Sequence, residues 1–424
     1  MVTASRETAK DGRPAIRLKP DAALLAQAFA AKNEVRAEFQ ADSSVPVVYL
    51  DLPGAVLLDK LKQTAAVSAT GGNSGTVNTS WGTINTNSTI SANTSGPAVI
   101  FAVNSAEHHL PLRWLNGLKP ALEPGMVVTL GIAGAASAAV NDLRAVLAQQ
   151  GAELIGSPVA FSIEVNGEQV ENLNNTFTNK YLGKTLPLPA PADPLRSAVV
   201  WVDRWNKVHF VPAVFGTKTA EAAIHSPRNG MFAAVQSRHT FADTSGHGAE
   251  ADIQLMANKW IMQGVSQTSF APDASLTRAE LAALLVRALG GMESEHGRSF
   301  ADVSLDSWYT PAVTAAHSLG LLTGYEDGSF RPNAQLTHEQ LAAVISRALA
   351  LAGKAPQTNG LPPDAFADAD TIAPWAAEPV AILLEAGLLQ SSESVNFSPK
   401  APVTRAESAV ILRRMLQYLQ FINR

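Results

Sequence analysis

Two arginines hold equivalent places in a repeated tetrad. Arg278 is second in Thr-Arg-Ala-Glu at 277–280, and Arg405 is second in the same four letters at 404–407. Between them, at 337–340, the tetrad reads Thr-His-Glu-Gln, with His338 in the arginine's place. The chemistry on offer is anion binding. A threonine followed three residues later by Glu or Gln is a capping box, so the second residue sits beside N–H groups that have no partner within the helix. The positive end of the helix dipole makes a cation there mildly unfavourable. Such an arginine is explained by a carboxylate gripped between its guanidinium fork and the free N–H groups, or by pairing with a neighbouring acid at the surface. His338, mostly neutral near pH 7, lacks that permanent charge, so a site built on it is expected to be weak or favoured at acidic pH. The threonines and Glu280, Gln340 and Glu407 need no ligand, because capping alone accounts for them.

The elements that position these residues repeat three times. Phe-Ala-Asp recurs at 241–243, 300–302 and 366–368, followed by Phe270, Phe330 and Phe397, each two residues before a proline. From each of these later phenylalanines to Arg278, His338 or Arg405 the interval is 8 residues. The unit is therefore about 60 residues of helix, loop and helix. The second helix begins at the tetrad and carries an apolar stripe: Leu281, Leu284, Leu285, Ala288 and Leu289 in the first unit, Leu341, Val344, Ile345, Ala348 and Leu349 in the second. One helix pair cannot bury that stripe alone, so the units are expected to pack around a shared centre.

Residues 1–238 read differently. Apolar β-rich runs such as VPVVYLDL, PAVIFAV, MVVTLGI and SAVVWVD alternate with turn-rich text and with helical patterns near 20–33, 53–63 and 137–151. The expectation is an α+β region over 1–98, containing a Ser/Thr/Asn/Gly-rich segment at 65–97 that reads as disorder or a long hairpin. A β-rich, sandwich-like spacer or stalk follows over 99–238. With 46% hydrophobic and 16% charged residues the chain can bury real cores. It has no cysteine. Residues 239–424 hold 12 Lys+Arg against 19 Asp+Glu, a poor balance for nucleic acid. No apolar stretch approaches a membrane span, and the first residues lack a signal-peptide core, so the chain reads as intracellular or as a piece of a longer one.

From Phe241 to about Tyr418 the sequence resembles three tandem S-layer homology domains, which attach surface proteins to bacterial cell walls. The Phe-Ala-Asp anchors, the aromatic residues in DSWYTPAV and APWAAEPV, the loop LGLLTGYEDGSFRP and the tetrad, in order three times, carry the likeness. The resemblance implies an all-α trimer of domains at 239–295, 296–360 and 361–424, a pseudo-threefold helical bundle with grooves between neighbours. It implies binding of a secondary cell-wall polysaccharide bearing pyruvylated N-acetylmannosamine, with Arg278 and Arg405 meeting the carboxylate. It places Asp243, Asp302, Asp368, Trp308, Trp375, Gly264, Gly324 and, more weakly, His338 near the grooves. The cell wall becomes the expected location. Residues 100–238 also resemble the segment that precedes such domains in surface proteins of endospore-forming Gram-positive bacteria.

The residues themselves leave alternatives. Trp308 and Trp375 offer flat faces for sugar rings or belong to the core, and the aspartates hold ligand or cap turns. Unit one has Gly248 where the family usually has tryptophan, and Gln390 stands in unit three at the place of Gly324, so at most two competent grooves are expected, at Arg278 and Arg405. No HExxH, GxSxG, P-loop or dinucleotide pattern occurs, and Glu326/Asp327 and Asp368/Asp370 read as turn residues. Neither an enzyme, a metal nor a cofactor is expected. Wall anchoring leads, a self-assembling lattice protein with contacts to other subunits is the alternative, and a polysaccharide-active enzyme comes last.

Overall fold

In the computed structural model, residues 2–42, 46–66, 77–79, 82–85, 96–118, 121–170, 181–291, 300–362, 364–390 and 395–424 are described. Most of the segment 65–97 lies outside them. The first 238 residues form β1 (Val2–Thr8), β2 (Pro14–Pro20), α1 (Ala22–Ala31), β3 (Glu34–Phe39), β4 (Val47–Pro53), α2 (Gly54–Ala66), β5 (Val77–Thr79), β6 (Gly82–Asn85), β7 (Ala98–Val103) and β8 (Ala106–Pro111). Next come β9 (Val127–Gly134), α3 (Ser137–Gln149), β10 (Ala152–Val165), β11 (Glu168–Gln169), β12 (Leu182–Pro187), β13 (Ser197–Val202), β14 (Val208–Val211), β15 (Ala213–Phe215), β16 (Glu221–Ser226) and β17 (Gly230–Ser237).

Among the described residues these strands make two sheets. One runs β1-β2-β4-β9-β10-β17-β13-β14 with β11 beside β10, and the other runs β15-β16-β12-β8-β7-β3-β6-β5. Pairing is parallel at β2–β4 and β3–β7, so each sheet is mixed. Alternation explains the layering: β4 and β9 turn Val48, Leu50, Leu130 and Ile132 into one core with Val99 and Phe101 of β7 and Leu186 and Ile224 of the second sheet. β7 is buried at every position, as expected of a central strand. The expected division at residue 98 is not seen. Both sheets draw strands from either side of it, because strands distant in sequence are the ones that pair.

The remaining residues form α4 (Glu250–Asn258), α5 (Arg278–Ala288), α6 (Thr310–Ser318), α7 (His338–Leu351), α8 (Pro374–Glu385) and α9 (Arg405–Tyr418). α5, α7 and α9 each begin with a complete capping box, at Thr277/Glu280, Thr337/Gln340 and Thr404/Glu407. The packing partners cross the sequence units. α5 lies on α6, α7 on α8, and α9 closes back onto α4. Just before the second helices, Leu276 N donates to Val403 O at 2.8 Å, Val403 N to Leu336 O at 2.8 Å and Leu336 N to Leu276 O at 3.0 Å. The three side chains are fully buried.

The strand region does not hang from the helices as a stalk. A single apolar cluster joins Leu143, Val200, Phe210 and Val235 to Ile253, Leu281 and Leu285. Polar locks reinforce it: Lys259 Nζ donates to the carbonyls of Pro194 (2.9 Å) and Ser197, Tyr181 Oη donates to Leu289 O at 2.9 Å, and Asn423 brackets Phe215 through both its N–H and its carbonyl.

Candidate functional site

Each unit pins its loop with the aspartate of Phe-Ala-Asp. Asp243 accepts from Phe270 N, Ala271 N and Ser269 Oγ, Asp302 from Phe330 N and Arg331 N, and Asp368 from Phe397 N and Ser398 N, at 2.6–3.0 Å. Ala271, Arg331 and Ser398 have φ of 57°, 57° and 54°, a conformation that non-glycine residues take only when held. The Ser269 hydroxyl and the two N–H groups draw Asp243's carboxyl down to about 2. These aspartates are loop anchors, and their oxygens are already engaged.

The pinned loop turns its phenylalanine carbonyl toward the preceding unit. Arg278 Nε donates to Phe330 O at 2.9 Å and its Nη2 to Thr323 O at 3.0 Å. Arg405 repeats this across the closing junction, with Nε to Phe270 O at 2.9 Å and Nη2 to Gln263 O at 2.7 Å. In the middle, His338 Nδ1 lies 3.1 Å from Phe397 O and 3.0 Å from Ser398 O. Arg278 and Arg405 are 7% and 8% exposed, so they are neither surface residues nor dependent on an anion for partners. The expectation that an anion or a surface acid explains them is corrected: backbone carbonyls of another unit, invisible to local sequence, accept their N–H groups. Burial lowers the pKa of both.

The junctions differ in charge. Arg405 Nη1 stands 3.7 Å from Glu280 Oε1, the capping glutamate of α5, and His338 Nε2 stands 3.4 Å from Glu407 Oε2, the capping glutamate of α9. That carboxylate raises the pKa of His338, while the histidine and Thr404 bring Glu407 down to about 2. The side chain expected to be mostly neutral near pH 7 is thus shifted towards its charged form by Glu407. For Arg278, no salt bridge is found among the described residues.

Trp308 and Trp375 are 61% and 54% exposed, which removes the core reading for both. They lie just before α6 and at the start of α8, on the helices paired with α5 and α7. Trp308 thus belongs to the helix pair that Arg278 begins, and Trp375 to the pair that His338 begins. Arg405 faces α4, preceded by exposed Gly248. Gly264 and Gly324 stand against protein: a Cβ on Gly324 would lie 2.3 Å from Phe300 Cε1, and one on Gly264 2.5 Å from Phe241 Cε1. Sequence reasoning missed Tyr325, whose ring lies 4.9 Å from the Arg278 guanidinium and 3.9 Å from that of Arg331. Its signal was the aromatic residue after Gly324. The Arg405 junction borders a cavity of about 690 Å³ shared with the strand region, where Gln263 and Gly264 face Lys207, His239 and Trp260. No cluster able to hold a metal occurs among the described residues.

Residues 240–282, 299–342 and 365–409 each match the family model of the S-layer homology domain. The chain is similar to an amylopullulanase of Thermoanaerobacterium thermosulfurigenes, 30% identical over 249 residues, 57% of this chain and 13% of that protein. It is 31% identical to the surface-layer 125 kDa protein of Lysinibacillus sphaericus over 48% of this chain and 17% of the relative. With the S-layer protein sap of Bacillus anthracis it shares 31% over 41% of this chain and 21% of the relative. The chain thus spans a small part of each. With a matching family model on every repeat and the capped helix starts in place, the stretch from 240 to 409 is three S-layer homology domains.

Proposed function

We propose that the helical region anchors a surface protein to the bacterial cell wall by binding an anionic secondary cell-wall polysaccharide, one bearing pyruvylated N-acetylmannosamine. In this reading the three domains form a pseudo-threefold bundle, the hydrogen-bonded ring at Leu276, Leu336 and Val403 marking its centre. The principal site is the junction between the first and second domains. One observation carries the choice: Arg405 and His338 each face the capping glutamate of the next domain, whereas the repeat puts Gln340 there for Arg278. An amide completes the capping box as a carboxylate does but puts no negative charge opposite the Arg278 guanidinium, whose charge is then available to a ligand carboxylate. Tyr325 supplies a ring beside it, and the exposed Trp308 precedes the helix that packs on α5. This narrows the expectation of at most two competent grooves, at Arg278 and Arg405, to one principal site.

Gln340→Glu tests the proposal without disturbing the cap. Binding to purified sacculi that retain the polymer should weaken by about tenfold, the scale of one charge-assisted hydrogen bond, and Trp308→Ala should weaken it too. Equal binding of parent and variants, or equal binding of the parent to stripped walls, would refute it. The location that follows is the cell surface, and the role is non-enzymatic. No described helix is long and apolar enough to cross a membrane.

Likeness to surface-layer proteins favours a second reading, in which the strand region makes lattice contacts with other subunits. Ordered arrays in electron micrographs of the purified chain would support it, and a monomer at every concentration would count against it.

A further inference from the structure

A second cleft lies far from the domain junctions in sequence, where β17 begins between β10 and β13. Its volume is about 460 Å³. The side chains of β4, β9 and β10 that point away from the core are small at its floor, where Gly131, Ala160 and Ser162 line it, and Tyr49 borders them. Gly131 permits this packing, since a Cβ there would lie 2.2 Å from Ser162 Oγ and 3.2 Å from the Tyr49 ring. The turn from β13 to β14 and the loop from β16 to β17 supply the walls, with Trp201, Trp205, Arg204, Arg228 and Asn229.

The chemistry of the walls is specific. Trp205 is 67% exposed, an indole held out in a concave site. The turn that presents it is rigid, because Asp203 accepts from Trp205 N at 2.9 Å and Lys207 N at 2.8 Å and lies 3.0 Å from His209 Nε2. Arg204 sits 4.1 Å over the Trp205 ring, and Arg228 5.1 Å from that of Trp201. The cleft's other carboxylate, Asp11, is occupied by Arg13 at 2.6 Å. Arg204 and Arg228 have no carboxylate partner among the described residues. Among the described residues Arg228, 9% exposed, donates only to the carbonyl of Gly290, at 3.3 and 3.4 Å. Beside it the buried Asn229 Oδ1 accepts no hydrogen bond from the described residues. A buried cation without a counter-ion, an unused acceptor and an exposed indole therefore face one trough.

We propose that this cleft binds an anionic saccharide, its ring against Trp205 and Trp201, its acidic group at Arg204 and Arg228, and a hydroxyl donating to Asn229 Oδ1. The site would give the chain a glycan contact independent of its wall-anchoring domains. Carboxylate and phosphate, two acidic groups found on sugars, each suit a guanidinium pair.

The test uses the full chain, titrated by calorimetry with a glucuronate-containing tetrasaccharide, a sugar-phosphate oligomer, a neutral tetrasaccharide and an acidic peptide. At least one anionic saccharide should bind. Trp205→Ala and Arg204→Ala, both exposed positions that leave the fold intact, should weaken that binding at least about tenfold. Repeating the titrations in the Gln340→Glu background, where the domain junction is weakened, should still show binding that Trp205→Ala and Arg204→Ala remove, which separates this cleft from the junctions whatever the outcome for wall binding. The proposal is overturned if neither anionic saccharide binds, if the neutral sugar or the peptide binds as well, or if binding survives both variants.

Discussion

His338 joins two helix starts, with Nδ1 directed at the accepting carbonyls of Phe397 and Ser398 and Nε2 at the Glu407 carboxylate. Glu407 raises its pKa above the ordinary 6.5. In the folded chain the proton is held more tightly than in the unfolded one, so the contribution is full below pH 6.5 and is lost as pH rises through the folded value. The stability difference between the parent and His338→Gln, read from urea midpoints, should therefore shrink above pH 6.5. A difference that is constant from pH 5 to 9 would contradict this account. At this scale the sequence was half legible. Thr277, Thr337 and Thr404 announced their caps because the capping box is a local pattern. Arg278 and Arg405 did not announce their partners, since the carbonyls they reach lie in other units, and the role of Gln340 emerges only against the arginine of the preceding domain.

Among the elements, the second helices begin where the tetrads start, while the first helices stop short of their apolar patterns. α6 and α8 end near Gly320 and Gly387, at φ of 70° and 68°, and Trp260 holds the corresponding place after α4 at 56°. The apolar residues that follow, such as Ile261, Leu321 and Leu388, are buried from a turn, so hydrophobicity ran past the helix end. The loop glycines belong to the same packing. Gly324→Ala would force a methyl group onto Phe300 and within 2.9 Å of Ser329 O, and it should destabilise the chain by about 1–3 kcal/mol, as overpacking does. Chemical unfolding measures this, and an unchanged midpoint would show that Phe300 can move aside.

For the whole molecule, the closure of strand region on helical region matters most. Lys259 ends α4 with its ammonium fully inside that interface, over the Phe215 ring at 5.3 Å, and burial brings its pKa down to about 7. The unfolded chain keeps this proton to about pH 10.5, so the parent should gain stability over Lys259→Met as pH rises from 7 towards 10. Parallel unfolding midpoints across that range would show the lysine to be hydrated instead. The sequence by itself determined the threefold repeat, the capped helix starts, the strand-rich first half and the resemblance to wall-anchoring domains, because capping, periodicity and repetition act over a few residues. Only the tertiary structure decided that α9 closes onto α4, that strands from both sides of residue 98 share sheets, that the arginines serve neighbouring domains, and that Trp201 and Trp205 meet Arg228 in one cleft. Those outcomes rest on hydrogen bonds and apolar contacts between residues tens to hundreds of positions apart, whose partners no local spacing specifies.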